Sequence, residues 1–275
     1  MRRYIFCGII LLAAAAQGRA YEYEFFNAEQ SAVLAADPGQ PVVRSLYTRS
    51  AGKYFRQMSF WDVGIGGELP LVRATRGAEQ VAGVNVRGDL RSRFVISSHS
   101  FDLLNADYIG ALNLRLKKPF GLPGSAEFCL SHTSSHLGDE VSLATAAYNY
   151  RQINYSREVL RALYFGSLSG SVTHAYGAQY ILRKDPATPR GRLALQYDIS
   201  APLGKRFLFD SDLLFNEEHD WAPDFTVQLG LKLGREAGQV FSQRLTLEFY
   251  DGYSRQGQFF DKRERHISIG ITAHL

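Results

Sequence analysis

Past its first twenty residues the chain lacks most of what stabilises or identifies other protein classes. It keeps one cysteine, Cys129, because Cys7 lies within those twenty, so it can form no internal disulfide. It has no run approaching ~18 consecutive apolar residues, which excludes helical membrane spans. It has no excess of charge of one sign: removing Arg2, Arg3 and Arg19 reduces the 31 Lys and Arg to 28, against 27 Asp and Glu. Nothing therefore resembles an electrostatic footprint for nucleic acid. No Ser- or Pro-rich linker divides the chain, and long helical periodicity is absent.

The first twenty residues read as a cleaved signal peptide. Arg2 and Arg3 form a positive start, Tyr4 to Ala16 an apolar run, and Gly18-Arg19-Ala20 a small-x-small cleavage site. The mature protein is expected to begin at Tyr21 and to be exported.

What the rest contains is period two. Phe225, Val227, Leu229, Leu231 and Leu233 alternate with Thr226, Gln228, Gly230, Lys232 and Gly234. The last ten residues set Ile267, Ile269, Ile271, Ala273 and Leu275 against polar or small partners, and Leu245 to Phe249 and Leu193 to Ile199 repeat the pattern. Each is a strand with one oily and one polar face. Turn signals near 76, 117, 168, 184, 202, 216 and 253 cut this pattern into roughly twelve segments of ~10 to 14 residues, the length of a tilted membrane-crossing strand. Short turns near 168 and 203 alternate with longer polar loops near 186, 219 and 257, as in an outer-membrane barrel. The expected fold is all-β: a leader at 1–20, a periplasmic lead-in at 21–55, and an antiparallel transmembrane β-barrel of roughly twelve strands at 56–275.

The polar faces carry both signs of charge: Arg115, Arg192, Arg206, Lys232 and Arg244 beside Asp107, Asp198, Asp210 and Glu248. Facing a closed lumen, these groups need partners, so a narrow, filled lumen is expected. Membrane lipids are then the expected partners, in the outer membrane of a Gram-negative-type bacterium. Three functions stay open: a structural or passive barrel, a lipid-modifying hydrolase, and a narrow channel or small-ligand transporter.

The stretch Ser125 to Glu140, "SAEFCLSHTSSHLGDE", carries the chemistry. Ala126, Phe128, Leu130, His132, Ser134 and His136 share one face of a strand, while Glu127, Cys129, Ser131, Thr133 and Ser135 share the other. The oily face is the one ending in His132 and Ser134, so an imidazole and a hydroxyl face lipid at the rim. Residues i and i+2 of a strand lie about 6.6 Å apart, within reach for a histidine to deprotonate a serine. Glu140, Asn154, Asp139 and Glu158 are candidates to orient the imidazole. A second reading makes the whole motif a polar rim: its His, Ser and Thr residues, Ser135 and His136 among them, satisfy a tight turn at Gly138, with Asp139 and Glu140 solvated. A third gives His132, His136, Asp139 and Glu140 a metal, although a spacing of four suits a helix better than a strand. No metal or cofactor is expected.

The run "HTSSHLGDE", with "LLNADYIG" (103–110), "INYSRE" (153–158) and "YDGYSRQGQFF" (250–260), resembles an uncharacterised bacterial family, domain-of-unknown-function family 1207. His132-Thr133-Ser134 is also similar to the His-x-Ser signature of outer-membrane phospholipase A and the lipid A deacylase barrels, whose pair sits on the outer barrel surface. That resemblance implies acyl-ester cleavage by Ser134 with His132 as base. In those enzymes Asn or Gly follows the serine where this chain has Ser135 and His136, and the third triad member falls at a spacing that here meets Thr145 to Ala147.

Overall fold

The computed structural model describes residues 21–26, 35–37, 39–55, 58–96, 100–143, 150–189, 191–234 and 242–274. The expected leader, and the stretch Thr145 to Ala147, lie outside them. Among the described residues no helix is long and apolar enough to cross a membrane. Twelve strands form the wall: β2 (Val43–Ser50), β3 (Ser59–Arg76), β4 (Glu79–Ile96), β5 (Phe101–Lys117), β6 (Ser125–Leu137), β7 (Tyr155–Ser169), β8 (Val172–Asp185), β9 (Leu193–Leu203), β10 (Phe207–Asn216), β11 (Pro223–Lys232), β12 (Ser242–Tyr253) and β13 (Arg263–His274). Each is antiparallel to its neighbour, and β13 returns to β2 with Ala273 opposite Val43 and His266 opposite Ser50, so the sheet closes on itself.

The wall is apolar outside and charged inside. Leu112, Leu130, Leu160, Leu195, Leu229, Leu247 and Ile269 are exposed, while Asp107, Glu127, Asp198, Asp210 and Glu248 are buried. A continuous apolar exterior of this size is untenable in water and is what lipid requires. The connections after β2, β4, β6, β8, β10 and β12 leave the wall at one end; those after β3, β5, β7, β9 and β11 leave it at the other, with both ends of the wall. Longer loops face outward in such barrels and short turns face the periplasm, which puts the end of β6 that carries Ser134 at the outer rim.

The lead-in expected over 21–55 is not one. Residues 43–50 are wall strand β2, and β1 (Glu22–Phe25) pairs with β3 at Val72 to Thr75, in line with β2 further along the same edge. Strand β2 escapes sequence reading because its outward residues are Ser45, Tyr47 and Arg49 and its inward ones include Leu46, so the alternation carries no clean apolar face. Between β1 and β2 the chain leaves the wall for the lumen. Asp37 there accepts from Arg161 at 2.8 Å, and Arg91 donates to the Gln40 carbonyl at 3.2 Å. Gly66 on β3 makes room: a Cβ there would lie 2.6 Å from the Asp89 carboxylate and 3.0 Å from Pro41.

Inside, many charges are paired across strands, whereas Asp198 stands opposite Asp212 with Gln196 donating to both, and Asp107 is held by Asn105 and the Gly257 amide. Arg93 bridges Asp62 at 2.6 Å and Glu264 at 2.7 Å, Arg244 meets Asp210 at 3.2 Å, and Glu127 receives Arg87, Arg115 and Arg161 at 2.9, 2.8 and 3.2 Å. Two of the expected lumen cations are elsewhere. Arg192 precedes β9 and donates to the Ile181 and Leu182 carbonyls, and Arg206 is exposed in the turn before β10. Both lie just outside a strand, where side-chain alternation no longer assigns a face.

The outer mouth is closed by loop 254–260. Gln256 accepts from Asn105 at 2.9 Å, Gly257 N–H donates to Asp107 at 3.2 Å, and Gln258 donates to the Ser135 carbonyl at 2.6 Å. Phe259 joins Phe55, Phe60, Val95, Leu104, Leu137 and Val141 in an apolar cluster above it. Beneath this cap remain cavities of about 260 and 230 Å³, which share Arg91, Thr133, Tyr155 and Arg255 in their walls, Gly39 and Pro41 lining the first. Cys129 lines the first. Purified protein in planar bilayers is therefore expected to pass little current, and Cys129 to resist a bulky maleimide until the barrel is denatured. Large uniform conductance steps, or prompt labelling of the folded protein, would show that a cap moves aside.

Candidate functional site

Strand β6 alternates as its sequence demands. Phe128, Leu130, His132 and His136 are exposed, Glu127, Cys129, Ser135 and Leu137 are buried, and Ser131 and Thr133 line the lumen cavity. His132 and Ser134 thus face outward, and the strand register places their neighbours. The rung at Ser134 runs Tyr108, Ser134, Ser156, Asp185 across β5 to β8; the next runs Gly110, His132, Glu158, Arg183; and the next Leu112, Leu130, Leu160, Tyr180. Polar chemistry gives way to an apolar wall within one rung, between His132 and Leu130.

Glu158 is directly opposite His132. Facing residues of an antiparallel pair hold their Cβ atoms about 4.5–5.5 Å apart, so a change of rotamer brings its carboxylate to the imidazole; in the structure the carboxylate is paired with Arg183 and not with His132. The Glu158–Arg183 pair, at 3.7 Å, is exposed and Arg183 also donates to Asp185 at 3.3 Å, so the carboxylate is held only weakly and is free to turn toward the imidazole. Gly110, on the other flank of His132, leaves a notch in the outer surface: a Cβ added there would meet nothing within 4 Å.

The remaining candidates fall elsewhere. Asn154 precedes β7, four residues beyond Glu158, which places it level with His136 and about 13 Å along the strand from Glu158. Glu140 and Asp139 open the short helix α1 (Asp139–Leu143), which turns in over the lumen mouth through buried Gly138 and Val141. The Gly138 amide donates to the Leu104 carbonyl at 3.2 Å. Ser135 is buried and donates to Asn105 at 2.9 Å, and the His136 ring lies 6.0 Å from Tyr108, edge to face. Four positions separate His132 from His136 on an extended strand, too far for one ion, and no group of three or more His, Cys, Asp or Glu among the described residues is placed to hold a metal. Glu158 is one of the four candidates that the sequence offered, and spacing alone does not supply the register that sets it opposite His132. Its signal was a carboxylate standing among Leu160, Ala162 and Tyr164 on the oily face of β7.

Closed wall, apolar exterior and paired lumen charges together define a β-barrel of the Gram-negative-type outer membrane, with a polar cluster on its lipid-facing wall. The chain belongs to the DUF1207 family, described as a protein of unknown function, which matches residues 25–275. No curated protein sequence matches it. Among solved structures it is similar to outer membrane phospholipase A from Escherichia coli, at 14% identity and TM-score 0.59 over 84% of this chain and 92% of that one. It is similar to the same degree to the calcium-bound outer membrane phospholipase dimer of Salmonella typhi, over 84% and 90%. At such identity the likeness is one of fold.

Proposed function

We propose that this barrel is a lipid acyl-ester hydrolase working on the outer surface of its wall, with Ser134 as nucleophile, His132 as base and Glu158 as the residue that orients the imidazole. The observation that carries this is the rung joining His132 to Glu158 on the lipid-facing side, two residues from Ser134. The wall also fits the substrate. An ester at the level of Ser134 would lay its acyl chain past the Gly110 notch onto Leu112, Leu130 and Leu160.

In the reaction Ser134 Oγ attacks the acyl carbonyl while His132 takes its proton; collapse of the adduct breaks the ester C–O bond as His132 returns the proton to the departing hydroxyl. Water then hydrolyses the acyl-serine and frees the fatty acid. Glu158 holds the ring tautomer and balances the imidazolium. The Gly138 amide, the nearest backbone donor expected to serve an oxyanion beyond the end of β6, is already donated to the Leu104 carbonyl and is not available for it. The calcium of the Salmonella typhi phospholipase has no evident cage here: that ion takes about six to eight oxygens, and the carboxylates of these rungs, Glu158 and Asp185, are both engaged by Arg183.

The test is release of fatty acid by the wild-type protein from phospholipid and from lipid A in mixed micelles, with and without calcium, together with a lipophilic sulfonyl fluoride whose site of attachment is read by mass spectrometry. Hydrolysis with label on Ser134 is expected. No release from either lipid, or a label on any other residue, sinks the proposal and leaves a structural barrel with a polar rim.

A further inference from the structure

A second cluster stands on the outer rim at β12, β13 and β2, well round the wall from β6–β8. On β13 the outward residues change from Ile271, Ile269 and Ile267 to Arg265 and Arg263, all exposed, and Arg49 on β2 faces Ile267. Lys53 and Lys262 flank them in the adjoining loops. The nearby carboxylates are fewer. Asp251 accepts from Arg263 at 3.1 Å and from Arg265 at 2.7 Å, and Asp261 from Lys262 at 2.8 Å, while Arg49 donates to the neutral Ser59 hydroxyl at 2.8 Å.

The height of the cluster matters. One outward rung below Arg49 and Ser59 lie Tyr47 and Trp61, and Trp61 packs on Phe94 and Phe101 at 6.0 and 5.8 Å. Aromatic girdles mark the membrane interface of such barrels. Three guanidiniums just above that girdle, on the lipid-facing side, stand at the level of lipid phosphates.

We infer that Arg49, Arg263 and Arg265 form a binding site for the phosphate groups of outer-leaflet lipids. Guanidinium groups bind phosphate in bidentate fashion, and the ion pairs to Asp251 are exposed, with 46% and 57% of the arginine side chains accessible. Exposed pairs of this kind contribute little, so a phosphate can displace or bridge them. The site serves to hold a phosphorylated lipid against the barrel and does not depend on the chemistry at Ser134.

The test uses the full chain in nanodiscs of neutral-headgroup lipid doped with a diphosphorylated glucosamine-disaccharide lipid, and reads retained lipid by native mass spectrometry. Wild-type protein is expected to retain the phosphorylated lipid over its dephosphorylated form, the double variant Arg49→Gln, Arg265→Gln to retain about tenfold less, and Asp251→Asn to retain more. Unheated gel migration verifies that each variant is folded. Equal retention of the two lipids by wild type, or unchanged retention by the double variant, overturns the inference. Displacement by millimolar inorganic phosphate alone overturns the assignment to a lipid.

Discussion

Ser134→Ala and His132→Ala are each expected to lower acyl release by about four to six orders of magnitude, with the barrel still folded. Both residues sit on the outer surface of a strand whose ladder partners are intact without their side chains, so loss of rate would not reflect loss of fold. Glu158→Ala is expected to cost about two to four orders, because the imidazole loses its orienting partner while the nucleophile and base remain. Glu158→Gln, which keeps an acceptor oxygen but no charge, should fall between Glu158→Ala and wild type. Arg183→Gln tests the outermost member of the rung, since it frees the Glu158 carboxylate without removing it, and its effect should be smaller than that of Glu158→Ala. The neighbouring hydroxyl separates chemistry from position: Ser135 points into the lumen and bonds Asn105, and Ser135→Ala is expected to retain most of the activity. Equal losses at Ser134 and Ser135 would contradict the assignment of faces, and an unchanged rate in Glu158→Ala would remove it from the site.

How much of this was readable beforehand follows from what a sequence encodes. Side-chain alternation is local, so the faces of β6, β11 and β13 follow from period two, and the same count put Ser134 and His132 outside and Ser135 inside, as the burial of β6 has it. Pairing register is not local. Residues 138–154 separate β6 from β7, so the residue facing His132 is 26 positions later, whereas the spacing in the resembled enzymes leads to Thr145 to Ala147. Proximity in sequence likewise favoured Glu140, which the buried turn at Gly138 carries over the lumen mouth. The position of Asp37 and Gln40 in the lumen could not be inferred either, because Arg161 and Arg91, which hold them, lie more than fifty residues away.

Glu127→Leu is expected to be the most damaging single change to stability, lowering it by about 3–5 kcal/mol. Glu127 is 1% exposed, and three guanidiniums converge on it from β4, β5 and β7. Their dependence differs. Arg87 keeps Glu68 at 2.7 Å and Arg161 keeps Asp37 at 2.8 Å, whereas Arg115 is left against the Phe165 ring at 5.7 Å. The uncompensated charge is therefore that of Arg115, and the loss should be largely reversed in the double variant Glu127→Leu, Arg115→Leu, because an apolar pair of similar volume often replaces a buried ion pair at little cost. Glu127→Gln keeps the acceptor for Arg87 but not the charge, and should fall between wild type and Glu127→Leu. The measurement is the urea midpoint of the folded, heat-modifiable gel band in detergent, with the exposed pair Lys118 and Glu79 as reference, since Glu79→Gln should leave the midpoint unchanged. Rescue by Arg115→Leu would identify the arginine charge as the source of the instability. A midpoint for Glu127→Leu close to wild type would mean that water in the adjoining 260 Å³ cavity already solvates these arginines, and that the lumen is held together by hydration more than by its ion pairs.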